Sequence, residues 1–107
     1  MRLIALLAAS AALCLAAPPG VVIDYIAAET GQYIGSPSIT ILKNGDYVAS
    51  HDFFGPKSTQ SVSAVSRTFV STDKGRTWTR TAEFTDQFWS NLFVHRGKLY
   101  LMGCTNE

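Results

Sequence analysis

A chain of 107 residues in which 47% of the side chains are hydrophobic and 16% charged has the make-up of a folded domain and not of a disordered tail. Nine Lys and Arg residues against eight Asp and Glu residues give a net charge of +1, which leaves no basic face of the kind a nucleic-acid partner requires. His51 and His95 stand 44 residues apart and only two cysteines are present, so there is no metal-ligand spacing; with no phosphate loop or serine-nucleophile elbow either, no cofactor is expected.

The chain opens on Met1-Arg2, an uncharged apolar run over residues 3–15, and Ala16-Ala17-Pro18-Pro19. A positive start, a short apolar core and small residues before a helix-stopping proline mark residues 1–17 as a secretory signal peptide. The protein is therefore expected to be periplasmic or secreted. The run falls short of the roughly 20 apolar residues that span a membrane, and the bulky Leu13 directly before Cys14 argues against a lipoprotein anchor. Removing the leader takes away Arg2 and Cys14, which brings the net charge to zero and leaves Cys104 with no partner for an intrachain disulfide.

From Val21 onward apolar and polar residues alternate with period two, so the mature chain reads as all-β. A first strand is expected over residues 22–26 and a loop over 29–36. Strands over 38–43 and 46–51 are joined by Asn44-Gly45, the sequence that a two-residue type I′ hairpin turn favours because both central residues need positive φ. A polar loop follows over 52–61, and a second hairpin joins 62–71 to 77–83 across Thr72-Asp73-Lys74-Gly75-Arg76. The first hairpin then recurs: residues 41–48 lie over 93–100 with Gly45 and Gly97 coinciding, a shift of 52 residues. Four strands in two hairpins separate the copies, which is the content of one four-stranded propeller blade. Residues 18–107 are accordingly expected to form the N-terminal part of an incomplete β-propeller, about one and a half blades, with the remaining blades missing from this chain.

Ser71-Thr72-Asp73-Lys74-Gly75-Arg76-Thr77-Trp78 fits Ser-x-Asp-x-Gly-x-Thr-Trp at every specified position. The residue types divide the work of the turn among them. Asp73 accepts hydrogen bonds from backbone amides of its own loop, Gly75 takes the positive φ that turns the chain, Thr77 begins the return strand, and Trp78 buries a large ring against a neighbouring sheet. This is the Asp box. Together with Ile34-Gly35-Ser36-Pro37-Ser38-Ile39 and Leu42-Lys43-Asn44-Gly45-Asp46-Tyr47, it makes the stretch 33–103 resemble the sialidase (neuraminidase) superfamily of BNR-repeat proteins. The resemblance implies a propeller with the box between the third and fourth strands of a blade, away from the central pocket. It also implies a glycosidase, a hydrolase releasing a terminal acidic sugar from a glycan. Where that superfamily carries Arg-Ile-Pro, alignment on Pro37 puts Gly35 at the arginine, the first of three that clamp the substrate carboxylate; glycine supplies no guanidinium fork. The family's acid/base aspartate falls in the loop after the second strand, yet no acidic residue stands between Asp52 and Asp73.

The candidate catalytic residues are His51 and Asp52, at the end of a strand where propeller loops converge on a pocket; histidine exchanges protons near neutral pH, and Asp52 is the neighbour that would orient it. Arg67 is the candidate anchor for an acidic sugar, and Phe54 and Trp89 the candidate stacking platforms for a sugar ring. Two alternatives stand beside the hydrolase: a lyase of acidic polysaccharide on the same scaffold, with His51 as its base, and a glycan- or protein-binding propeller without catalysis.

Overall fold

The computed structural model describes residues 19–56, 58, 64–85 and 87–105. The leader expected over residues 1–17, and residues 57 and 59–61 of the expected 52–61 loop, lie outside them. The chain is all-β: a 3-10 turn, Ala28–Thr30, precedes β1 (Tyr33–Ile41), β2 (Tyr47–Phe54), β3 (Val65–Ser71), β4 (Thr79–Phe84), β5 (Gln87–His95) and β6 (Lys98–Thr105). The first four strands form one antiparallel sheet in the order β1-β2-β3-β4 and the last two form a second, neither closed into a barrel. Among the described residues no helix is long and apolar enough to cross a membrane.

Residues 22–26 are not a strand. They run without regular structure into the 3-10 turn, which Gly31 closes at φ 66°. The first strand is instead β1, and it begins at Tyr33, inside the expected loop. Its sequence concealed this because a β-bulge lies at Ser36-Pro37: pairing steps from Gly35↔Asp52 to Ser38↔Ser50, so two residues of β1 face the single residue His51. A bulge is where a strand tolerates a proline that has no N–H to give to the ladder. β2 likewise runs on to Phe54, past the expected end at His51.

The first hairpin turn also differs from expectation. The amide of Gly45 donates to the Leu42 carbonyl at 2.9 Å and the amide of Leu42 to the Asp46 carbonyl at 2.8 Å. Gly45 has φ 91°, whereas Asn44 is not among the residues with positive φ. This is a three-residue loop ending in a left-handed glycine, not a two-residue turn. The Asn44 side chain stays local, accepting from the Asp46 amide at 3.1 Å and donating to the Asp46 carboxylate at 2.7 Å. The type I′ turn occurs one repeat later, at Arg96 (φ 49°) and Gly97 (φ 75°).

The repeat seen in the sequence extends to the ladder itself. Adding 53 to each β1 position and 52 to its β2 partner converts Gly35↔Asp52, Ser38↔Ser50, Ile39↔Ala49 and Ile41↔Tyr47 into Phe88↔Cys104, Asn91↔Met102, Leu92↔Leu101 and Val94↔Leu99, all of which are pairs of β5 and β6. The extra residue in the first turn accounts for the two different shifts. Even the bulge recurs, with Ser36 at φ 49° and Trp89 at φ 52°. Opposite the second bulge, a Cβ on Gly103 would lie 2.6 Å from Ser90 Oγ and 2.7 Å from the Phe88 carbonyl, so that position has no room for a side chain. Its counterpart opposite the first bulge is His51.

The second sheet lies across one face of the first. Val48, Thr68 and Val70 on the first sheet and Leu92, Leu99 and Leu101 on the second line an apolar space between them of about 240 Å³. Val48 and Leu92 are buried there, each contributing about 1.5–3 kcal/mol through apolar area removed from water. β2 is buried on both faces, from Val48 to Asp52, and that double burial positions the site.

Candidate functional site

Successive residues of a strand point to opposite faces, so β2 splits the two expected catalytic residues. His51 points away from the second sheet. Its cross-strand neighbour on β3 is Arg67, and the next in the row, on β4, is Glu83. Arg67 Nε donates to Glu83 Oε2 at 2.8 Å, and the guanidinium lies 4.5 Å from the centroid of the Phe53 ring. The His51 ring stacks on Phe69 with centroids 5.4 Å apart. A row of cross-strand pairs thus sets a cation between a histidine and an exposed carboxylate, with aromatic rings on either side.

The irregular segment before the 3-10 turn completes the group. Asp24 Oδ2 lies 2.7 Å from His51 Nε2 and 3.6 Å from Arg67 Nη1. Partial burial opposes the charge of Asp24, but the His51 hydrogen bond, the Tyr25 amide and the two nearby positive groups outweigh it, so its carboxyl titrates below the ordinary carboxylate range. His51 Nδ1 faces the Asp52 carbonyl at 3.2 Å. Both ring nitrogens therefore face oxygen acceptors: the doubly protonated ring donates to both, the neutral ring to one. The ring is 5% exposed, and the Asp24 segment covers it.

Asp52 stands on the other face and does different work. Its carboxylate is fully buried, accepting from Ser66 Oγ at 2.6 Å and from the Ser90 amide at 2.9 Å. The Ser66 and Ser90 hydroxyls meet at 2.7 Å, and Gln87 Nε2 donates to Ser90 Oγ at 3.0 Å. The bulge at Trp89 turns the Ser90 amide toward this carboxylate, so Asp52 clasps the second sheet to the first. Only its backbone carbonyl reaches His51; the orienting carboxylate is Asp24. Phe54 shares the Asp52 face and stacks on Tyr33 at 5.3 Å. Trp89 sits at the β5 bulge, about half exposed, edge-on to Phe88 at 5.1 Å. The structure thus brings His51 and Arg67 together and leaves Asp52, Phe54 and Trp89 elsewhere.

Position 35 pairs with Asp52, and a Cβ built there would come within 2.9 Å of the Phe54 ring. A side chain at this point would enter the Asp52 face, away from His51 and Arg67.

The Asp box is the turn from β3 to β4. Asp73 Oδ1 accepts from Ser71 Oγ at 2.7 Å and from the Thr77 amide at 2.8 Å, and Oδ2 accepts from Thr77 Oγ1 at 2.6 Å. Ser71 Oγ in turn accepts from the Gly75 amide at 2.8 Å. The Thr77 hydroxyl and amide, with the other donors, lower the Asp73 carboxyl to about 2. Gly75 has φ 84° and Lys74 φ 61°. Trp78 is half-buried, and its indole N–H returns to the Gly75 carbonyl at 3.0 Å, so the ring closes its own turn. Among the described residues no cluster of three or more His, Cys, Asp and Glu side chains is arranged to hold a metal ion.

Compared with family models, curated proteins and solved structures, the chain matches none.

Asp24 and Glu83 escape a reading by motif. Asp24 lies in a segment that reads as an ordinary short strand; the one signal in it is an isolated carboxylate between Ile23 and Tyr25. Glu83 becomes a partner of Arg67 only through the register of β3 with β4.

Proposed function

We propose that this chain belongs to an exported, sialidase-like β-propeller that acts on a terminal acidic sugar of a glycan, with Asp24, His51 and Arg67 as its site. The observation that carries the reading is the junction of Asp24 Oδ2 with His51 Nε2 at 2.7 Å beside the Arg67 guanidinium. A carboxylate that fixes an imidazole by one nitrogen leaves the other to exchange a proton with substrate. In this site the 3.2 Å contact of Nδ1 with the Asp52 carbonyl is the one that opens. Arg67 supplies the planar fork that an acidic sugar demands, the sugar carboxylate taking the place of the exposed Glu83. His51 donates its proton to the leaving glycosidic oxygen as the bond to the sugar breaks, and water completes the hydrolysis. The covering segment lifts to admit the sugar.

The repeated hairpin and the self-contained Asp-box turn support the propeller: the four-stranded sheet is a blade, and β5 with β6 opens the next. Export rests on the leader at residues 1–17. The test is release of terminal acidic sugars from a panel of glycans by the exported protein, with His51→Ala and Arg67→Ala beside it. Loss of release in both variants supports the reading, and release undiminished by either substitution refutes it.

One observation favours a lyase as the second reading. Gly35 lacks the arginine of the family's carboxylate clamp, and its position faces away from Arg67. A single arginine with a histidine fits removal of the proton beside a uronate carboxylate, with His51 as base. The two are separated by product: a lyase leaves an unsaturated sugar that absorbs in the ultraviolet, and a hydrolase does not.

A further inference from the structure

A net charge of only +1 hides a separation of charge along the sheets. The turns of the three hairpins gather at one end. Tyr47 and Ser71, which open β2 and close β3, are cross-strand partners, and a Cβ on Gly75 would lie 3.5 Å from the Tyr47 ring, so the turn after β1 and the Asp-box turn are neighbours. Leu42, Lys43 and Asn44 of the first hairpin and Val94, Gly97 and Leu99 of the third line one space of about 270 Å³, which brings the turn between β5 and β6 to the same end. These turns carry Lys43, Lys74, Arg76, Arg96 and Lys98, all exposed and, among the described residues, none of them in an ion pair. Arg67 and Arg80, the other described cations, both lie against Glu83. The two carboxylates of the turn end are engaged locally: Asp46 accepts from the Asn44 side chain, and Asp73 from Ser71 and Thr77.

Strands of one sheet stand about 4.8 Å apart and packed sheets about 10 Å, so neighbouring turns are roughly 10 Å from one another. That is the length of a disaccharide, the interval at which carboxylates recur along a polysaccharide of alternating uronate and neutral sugars. Duplex DNA is far denser, with a charge every ~1.7 Å of its axis. A membrane-surface anchor adds apolar side chains to its cations, and the turn tips Lys43-Asn44-Gly45, Lys74-Gly75-Arg76 and Arg96-Gly97-Lys98 have none. We propose that this turn end binds an acidic polysaccharide of that spacing, the guanidinium forks of Arg76 and Arg96 and the three lysines pairing with successive carboxylates. The surface is separate from Asp24, His51 and Arg67, since His51 lies four residues along β2 from Tyr47, roughly 13 Å at the rise of a strand. It also projects past the faces and edges on which further strands would pack. Its role is retention of the protein on a polyanionic glycan, and it does not rest on the chemistry assigned to His51.

The experiment is binding of the protein to immobilised hyaluronate, a polymer with one carboxylate per disaccharide, at low and at high salt, with neutral dextran as reference. It is repeated for Lys74→Gln with Arg76→Gln, for Arg96→Gln with Lys98→Gln, for all four together, and for Arg67→Ala. The wild type is expected to bind hyaluronate and not dextran, and to release it as salt rises. Each pair of substitutions is expected to weaken binding, and the four together by about tenfold or more. The four side chains are exposed and the two pairs lie on separate turns, so a misfolded variant of one leaves the other to decide. Arg67→Ala is expected to bind hyaluronate as the wild type does, which separates this surface from the proposed sugar-cleaving site whether or not that site proves active. Absence of hyaluronate binding, equal binding to dextran, binding undiminished by the four substitutions or lost with Arg67→Ala, or a preference for phosphatidylglycerol vesicles or a DNA duplex would each overturn the proposal.

Discussion

Asp24 holds His51 across 27 residues of sequence, its Oδ2 lying 2.7 Å from the ring nitrogen Nε2, and the same oxygen is within 3.6 Å of Arg67. Through this oxygen an irregular N-terminal segment is tied to the cross-strand row of histidine, arginine and glutamate.

Asp24→Asn should release that segment. The lost charge-assisted contact is worth about 1 kcal/mol after allowance for its solvent exposure, a melting-temperature loss of roughly 4–8 °C in a domain of this size. Because the folded Asp24 titrates below its unfolded value, its contribution is complete above the ordinary carboxylate range and is lost as pH falls through the lowered folded value. Amide hydrogen exchange of residues 21–27, followed against pH, should therefore quicken on acidification in the wild type. In Asp24→Asn it should already be fast and carry no such step.

Asp52→Ala should damage folding and not the His51 site. It leaves the buried Ser90 amide without its acceptor and takes from the Ser66 hydroxyl one of its partners, at a cost of about 1–3 kcal/mol. Thermal melting should show a large loss, while the surviving folded fraction keeps its affinity for an acidic sugar. Unchanged melting with abolished binding would move Asp52 into the site.

Gly103→Ala should also destabilise. Its Cβ would fall 2.6 Å from Ser90 Oγ and 2.7 Å from a backbone carbonyl, and such overpacking costs roughly 1–3 kcal/mol. Gly97→Ala, with nothing within 4 Å of its Cβ, should cost only the strain of its positive φ. A chemical denaturation series on both variants compares crowding with backbone strain.

Asp73→Ala should lower the melting temperature at neutral pH and flatten its fall in acid. The folded Asp73 carboxyl titrates at about 2 against an ordinary 3.8, so its contribution is present above 3.8 and disappears as pH drops toward 2. Melting curves between these limits should converge for wild type and variant.

What the sequence disclosed and what it concealed divide along the range of the interactions. The hairpins and the Asp-box turn were legible because their signals are local: alternation, Gly45 and Gly97 at turns, and Asp73 beside the amides it accepts. The start of β1 was hidden by Ser36-Pro37, which reads as a break and is a bulge. Asp24 was hidden because its partner lies two strands away, a relation that no local pattern encodes. The separation of His51 from Asp52 follows from strand alternation alone, once β2 is known to continue to Phe54; the polar residues after it suggested that the strand had already ended.

The measurement that bears most directly on the central claim is the release of acidic sugar by the protein and by its His51→Ala variant, each with a melting curve. The variant is expected to lose activity by about 100-fold or more, the usual worth of a positioned proton-transfer group, at a temperature where it remains folded, its melting temperature falling by at least the roughly 4–8 °C expected of Asp24→Asn because it loses the same contact. Equal release by the two proteins would contradict the assignment of His51, with Asp24 and Arg67, as the functional site.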